Sequence, residues 1–196
     1  VAIPVYQPNR LTEFNMADEK DISGMNEGMV EQWNSQVGLN DTVWHIGDFA
    51  MGQIDRGLEY VERLNGVIHL IMGNHDRPHP CRGRLDKQEY WIRRYLDAGF
   101  ASIEMIGHTD MGGVPVVLSH FPYEGDHSEE ERYTEWRPLN HGQILIHGHV
   151  HGLWQVRGTM INVGMDAHGG RLLHRDEVVS LVHQVATRMK GHDIHP

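Results

Sequence analysis

Four short segments of this chain each close an apolar run on residues able to hold a metal. They are Gly47-Asp48, Gly73-Asn74-His75-Asp76, Ser119-His120 and His147-Gly148-His149-Val150-His151. Ligands scattered this widely can converge if each sits at the end of a strand in one sheet, which restricts the chain to folds that bring strand ends together. The set offers carboxylate oxygen, amide oxygen and imidazole nitrogen, donors that suit a first-row transition metal better than calcium. The one cysteine, Cys81, is not among them, so a closed thiolate zinc site is excluded.

The intervening sequence supports that arrangement. Residues 1–22 are irregular, with Val1 to Tyr6 a short extended piece interrupted by Pro4. Met25, Met29, Val30, Trp33 and Val37 then fall on one helical face, with Ser23 as a candidate N-cap and Gly38 as a stop. Thr42 to Ile46 reads as a strand, Ile54 to Leu64 as a helix ended by Asn65-Gly66, and Val67 to Met72 as a second strand. A helix is expected over 86–97. Strands follow at Ala101 to Ile106, Val114 to Ser119, Gln143 to His147, Leu153 to Val156 and Thr159 to Val163, and a last helix starts near Asp176. Residues 122–141, polar and carrying Glu129-Glu130-Glu131, read as a solvated loop near the site. Strand, ligand loop, helix, strand, ligand loop is the layout of an α/β fold with its site at the carboxyl ends of the strands.

The length of 196 residues fits one domain, 1–196, with a sizeable core. The net charge of −10 opposes non-specific binding to nucleic acid or acidic membranes, which requires a basic surface. It does not oppose a phosphate-ester substrate, because bound dications create a local positive site on an acidic protein. There is no signal segment at the start and no apolar run of about 18 residues, so the expected location is cytoplasmic.

Taken singly, the motifs differ in weight. Gly-Asp after a strand is usually a turn, and a histidine like His120 is usually an ordinary strand-end residue. Gly73-Asn74-His75-Asp76 is stronger, since the histidine is flanked by two further polar ligands. His147-Gly148-His149-Val150-His151 is the strongest, because alternate side chains of an extended segment share a side and the glycine admits close backbone approach. Together they predict a hydrolytic, binuclear metal site acting on phosphate esters.

The joint pattern resembles the calcineurin-like metallophosphoesterase family, whose motifs run D-x-H, G-D, G-N-H-D/E, H and G-H-x-H. Gly47-Asp48, Gly73-Asn74-His75-Asp76, His120 and Gly148-His149-Val150-His151 match the last four in order. Met25-Asn26-Glu27, Trp33-Asn34-Ser35, Asp41 to Phe49 and Ile161 to Asp166 look like the small single-domain bacterial and phage-type members, and the likeness spans roughly residues 5 to 180. The resemblance implies a four-layer αββα sandwich of two mixed β-sheets flanked by helices. It implies that Asp48 bridges two metals, that Asn74, His120 and His149 complete one, and that His151 binds the other. Asn74 and His75 would contact the phosphate, His75 would protonate the leaving oxygen, and Asp76 would orient His75. A bridging carboxylate holding two cations about 3.5–4 Å apart clamps both oxygens of an in-line displacement. Histidine suits the acid because its ordinary pKa lies near neutrality. The implied cofactors are two divalent transition metals, manganese first, with iron and zinc also compatible.

The D-x-H motif is absent. Either the chain begins just after it, or Val1 to Tyr6 is the first strand and Gln7-Pro8-Asn9 stands in its place. The first reading is preferred, since Asn9-Arg10 resembles the family's downstream segment. Both deprive the metal at His151 of two ligands, so a catalytically weak phosphate- or nucleotide-binding relic is the alternative to an enzyme, and a His-rich metal buffer a third. His75 and Asp76 favour the enzyme, because neither alternative needs a placed acid.

Overall fold

The computed structural model describes residues 22–50 and 54–192. Val1 to Tyr6, Gln7 and Asn9 therefore lie outside the described residues. Helix α1 (Ile22–Gln36) carries the expected face inward: Met25, Val30 and Trp33 are buried, as is Val37 just beyond its end. Strand β1 (Thr42–His45), helix α2 (Ile54–Leu58), strand β2 (Val67–Ile71), helix α3 (Gln88–Asp97) and strand β3 (Ser102–Glu104) follow in alternation. Helical crossovers of this kind make neighbouring strands parallel. β1, β2 and β3 accordingly pair in parallel, in that order. Val43, Ile68 and Leu70 of this sheet share one apolar cluster with Trp33, Ile54, Leu58 and Tyr95 from the three helices.

The second sheet is mixed. It contains β4 (Ile106–Asp110), β5 (Pro115–Ser119), β6 (Ile144–His147), β7 (Val156–Arg157) and β8 (Met160–Asn162), in the order β4-β5-β6-β8-β7. β5, β6 and β8 are mutually parallel, and β4 and β7 run antiparallel at the edges. Leu118, Ile146 and Ile161 join Ile46 and Ile71 of the first sheet's segments in a second cluster. Helix α4 (Arg175–His192) adds Val178, Val182 and Val185 to it. Each such fully buried aliphatic side chain contributes about 1.5–3 kcal/mol by leaving water. That shared cluster brings the carboxyl ends of β1, β2, β5 and β6 to one place.

The architecture is thus α/β with two sheets and four α-helices among the described residues. It differs from expectation in four places. Among the described residues the first sheet is parallel, with no antiparallel strand to make it mixed. The helix expected from Ile54 to Leu64 stops at Leu58 and resumes as a 3₁₀ turn at Val61–Arg63. Gly57 explains the break: a Cβ there would sit 2.5 Å from the Ala50 methyl, so the contact demands glycine, a poor helix former. The run Ala101 to Ile106 divides, its first part pairing in one sheet and its second in the other. The strand expected from Leu153 begins only at Val156, because the Asn162 amide donates to the carbonyls of His151 and Trp154 at 2.7 Å and bends that stretch into a turn.

No helix among the described residues is long and apolar enough to cross a membrane.

Candidate metal centre

Asp48 follows β1, Asn74 follows β2, His120 follows β5 and His149 follows β6, so each comes from the carboxyl end of a different strand. All four are buried. Their polar atoms form a chain: Asp48 Oδ2 lies 3.3 Å from His120 Nε2, which lies 3.1 Å from Asn74 Oδ1, which lies 3.1 Å from His149 Nδ1. The segments approach so closely that only glycine fits beside them. A Cβ on Gly47 would lie 2.4 Å from His120 Nδ1, and one on Gly73 would lie 2.3 Å from Asp48 Oδ1.

Backbone strain concentrates in the same place. Asp48, Tyr133, His149 and His151 are the non-glycine residues with positive φ among the described residues, at 56°, 56°, 66° and 55°. Three of them are sequence-predicted ligands, and the Tyr133 ring packs 5.6 Å from that of His149. Left-handed backbone at such residues costs about 1–3 kcal/mol each and persists where surrounding structure enforces it, commonly at functional sites.

The donor chemistry fits a cation. His120 Nδ1 donates to the Ile46 carbonyl at 2.9 Å, which leaves Nε2 of the neutral ring as a lone pair. That lone pair faces two more acceptors, on Asp48 and Asn74. His149 Nε2 donates to Asp126 Oδ2 at 3.1 Å, so its Nδ1 is likewise a lone pair, aimed at Asn74 Oδ1. Lone pairs set face to face repel unless a proton or a cation lies among them. One carboxylate oxygen, one amide oxygen and two imidazole nitrogens make a good transition-metal set. With no cation, a second proton on His120 serves instead. Burial opposes that charge, but the Asp48 carboxylate outweighs it and raises the His120 pKa. Burial likewise works against ionised Asp48, and His120 with the His75 N–H holds it well below the usual carboxylate range.

The remaining predicted residues divide. His75 is half-buried, and its backbone N–H donates to Asp48 Oδ1 at 2.8 Å. Among the described residues no hydrogen bond joins Asp76 to the His75 ring, which departs from the expectation. The Asp76 oxygens instead accept the N–H groups of Asp48 (2.9 Å), Phe49 (3.1 Å) and Gly73 (2.8 Å), with the Tyr95 hydroxyl at 3.4 Å. A fully buried carboxylate is cheaper when spent on backbone donors, and here it ties the first two ligand loops together. Complete burial and the nearby Asp48 charge still push its pKa up to about 7. His151 is half-buried, and among the described residues no hydrogen bond joins its ring to the four-residue chain. It stacks on His127, ring centres 4.3 Å apart, and His127 in turn packs 5.3 Å from His149.

Asp126 and His127 were not among the candidates. The loop that carries them is not merely solvated: Asp126 is buried and accepts from Arg132 at 2.8 Å and from the Ser128 N–H at 3.1 Å. Burial would raise its pKa, but Arg132 and His149 hold it well below the carboxylate range. The signal available in sequence was the pair Gly125-Asp126, the same dipeptide as Gly47-Asp48. No apolar strand precedes it, so a rule based on strand ends passes over it. Phe121 was missed too. Its ring lies 5.1 Å from that of His120 and 5.0 Å from that of His149, an apolar wall that fixes both imidazoles.

The Gene 66 protein of Mycobacterium phage L5 is 39% identical over 187 residues, covering 90% of this chain and 89% of that protein. The chain belongs to the family of these phage Gene 66 proteins. The counterpart of Mycobacterium phage D29 is also 39% identical over 187 residues, covering 87% and 90%. An uncharacterized protein of Methanocaldococcus jannaschii, MJ1445, is 34% identical over 171 residues, covering 83% of this chain and 77% of its own length. The fold is shared with the crystal structure of a protein of unknown function from Aquifex aeolicus, at a TM-score of 0.61 and 22% identity, covering 92% of this chain and 98% of that one. No protein-family model matches the chain.

Proposed function

We propose that the protein hydrolyses phosphate esters, phosphodiesters above all, using divalent transition metals, and that its two sheets and four helices are a version of the four-layer metallophosphoesterase sandwich. Asp48, Asn74, His120 and His149 would hold one metal, and His151 with Asp48 the other. Manganese, iron and zinc all suit these nitrogen and oxygen donors. One observation carries the reading: an oxygen of Asp48, an oxygen of Asn74 and one ring nitrogen each of His120 and His149 stand in an unbroken chain of 3.1–3.3 Å contacts, while the second nitrogen of each imidazole is already committed to the Ile46 carbonyl or to Asp126.

When bound, divalent cations in such a site supply Lewis acidity toward a phosphoryl oxygen and lower the pKa of a coordinated water. The chain's own residues do the rest. Asn74 and His75, adjacent on the loop after β2, would meet the phosphate, and the half-buried His75 would hand its ring proton to the leaving oxygen. Asp76 would keep the backbones of Asp48 and Gly73 in register, so that Asn74 and Asp48 meet at a fixed separation. Phe121 and Tyr133 would exclude water from the faces of His120 and His149.

The test is hydrolysis of bis(4-nitrophenyl) phosphate by chelator-stripped protein during titration with Mn²⁺. Turnover should be absent without metal, rise as Mn²⁺ binds, and fall to background with excess EDTA. Protein that binds Mn²⁺ but turns over neither this diester nor a monoester would refute an enzymatic role.

A further inference from the structure

The candidate metal centre has a carboxylate behind it that does not belong to the ligand set. Asp126 Oδ2 lies 3.1 Å from His149 Nε2, on the opposite side of the ring from the nitrogen that faces Asn74. An imidazole whose far nitrogen donates to a carboxylate has its tautomer and orientation fixed, and its near nitrogen is the better ligand for it.

Asp126, His127 and His149 offer ligand atoms that all lie within 4.8 Å of one another, a spacing compatible with a metal of their own. The position is already taken by a cation of the chain. Arg132 Nη2 lies 2.8 Å from Asp126 Oδ1 and 2.8 Å from His127 Nε2, and the Arg137 guanidinium stands 4.0 Å from Asp126 Oδ2. The Asp126 side chain is fully covered, and the Ser128 N–H takes part of its remaining capacity. The loop is also seated firmly. Gly125 has φ of +88°, and a Cβ there would lie 2.8 Å from the Trp154 ring and 3.0 Å from Arg157 Nη1, so the residue before Asp126 has room only for glycine.

We propose that Asp126 is a positioning residue: its carboxylate, held by Arg132, fixes His149 with the proton on Nε2 and so presents Nδ1 to the metal. The proposal rests on His149 being a metal ligand, as argued above. It gives the loop over 122–141 a task, which is to complete a carboxylate–histidine–metal relay from outside the strands.

The experiment uses the full chain labelled with ¹⁵N-histidine. Two-bond ¹H–¹⁵N correlations read the His149 tautomer with and without Zn²⁺, and calorimetry reads Zn²⁺ affinity. In the unaltered protein His149 should carry its proton on Nε2 and bind Zn²⁺ through Nδ1. Asp126→Asn should weaken Zn²⁺ binding about 10–100-fold, the usual cost of losing such a partner, and should mix the two tautomers. Asp126→Glu should recover part of both. Arg132→Gln, which keeps the carboxylate but removes its cation, separates the readings even if Asp126→Asn does not fold. A positioning Asp126 gives equal or weaker Zn²⁺ binding, whereas a ligand Asp126 freed of its guanidinium gives tighter binding and overturns the proposal. Wild-type affinity with an unmixed tautomer in Asp126→Asn would also overturn it, leaving the metal centre itself intact. Failure of the unaltered protein to bind Zn²⁺ would overturn both this proposal and the metal-centre reading.

Discussion

Asp48 and His120 face each other across the junction of the two sheets, Oδ2 to Nε2 at 3.3 Å, with the far nitrogen of His120 pinned to the Ile46 carbonyl. Ile46 is two residues before Asp48, so β1 and its loop supply both the partner and the anchor of one imidazole.

Replacing Asp48 with Ala should remove metal and activity together. Asp48 is the carboxylate of the four-residue chain, and without it His120 and Asn74 are left as neutral donors. Metal content and diester turnover, measured on the same sample, check this. Retained metal with near-normal turnover would sink the assignment.

His75→Ala should leave metal content unchanged and slow turnover by about 10²–10⁴-fold, the range for loss of a general acid. Substrates with good leaving groups, such as nitrophenolate, should suffer least because they need little protonation. An equal defect on good and poor leaving groups would show that His75 is not the acid.

How far the sequence could be read follows from this geometry. Asp48, Asn74, His120 and His149 were legible because each follows a strand whose apolar run marks it, and the folded chain joins all four by short contacts. Asp126 was illegible because it reaches the site from a loop, through arginine pairing that no periodicity records. The part of Asp76 was misjudged for a related reason: adjacency to His75 in sequence suggested a side-chain partner, whereas the turn directs its carboxylate to backbone N–H groups. Among the strands, β1, β2, β5 and β6 were legible as buried runs, but β3 and β4 share one run, and only tertiary pairing shows where it divides.

Gly47→Ala should be destabilising out of proportion to one methyl group. Gly47 has φ of +82°, and the added carbon would lie 2.4 Å from His120 Nδ1. The strain of left-handed backbone alone is about 1–3 kcal/mol, and displacement of His120 adds to it. Thermal melting should show a clear drop, with metal affinity falling as well. A melting temperature and metal affinity equal to wild type would contradict the packing described for this loop.

Acid should weaken the fold through its buried neutral histidines. Burial holds the His45 imidazole down to about 3, and those of His79 and His147 down to about 4. The unfolded chain takes up these protons near pH 6.5, about the ordinary value, while the folded chain does not. Stability is therefore full above that pH and is lost as pH falls toward 4, by up to about 1.4 kcal/mol per pH unit for each group. His45 packs against the rings of Trp33 and Phe49, so His45→Phe should keep the fold and reduce the slope by one proton's share. Urea unfolding of the two proteins across pH 4 to 8 measures the difference. Identical slopes would show that His45 is not buried as a neutral ring.

The most direct test is to locate the metal. Crystals grown with Mn²⁺, with diffraction recorded on both sides of the manganese absorption edge, should show an anomalous peak among Asp48 Oδ2, Asn74 Oδ1, His120 Nε2 and His149 Nδ1. A weaker peak is expected beside Asp48 and His151. No peak among those four atoms, or a peak confined to Asp126 and His127, would contradict the account.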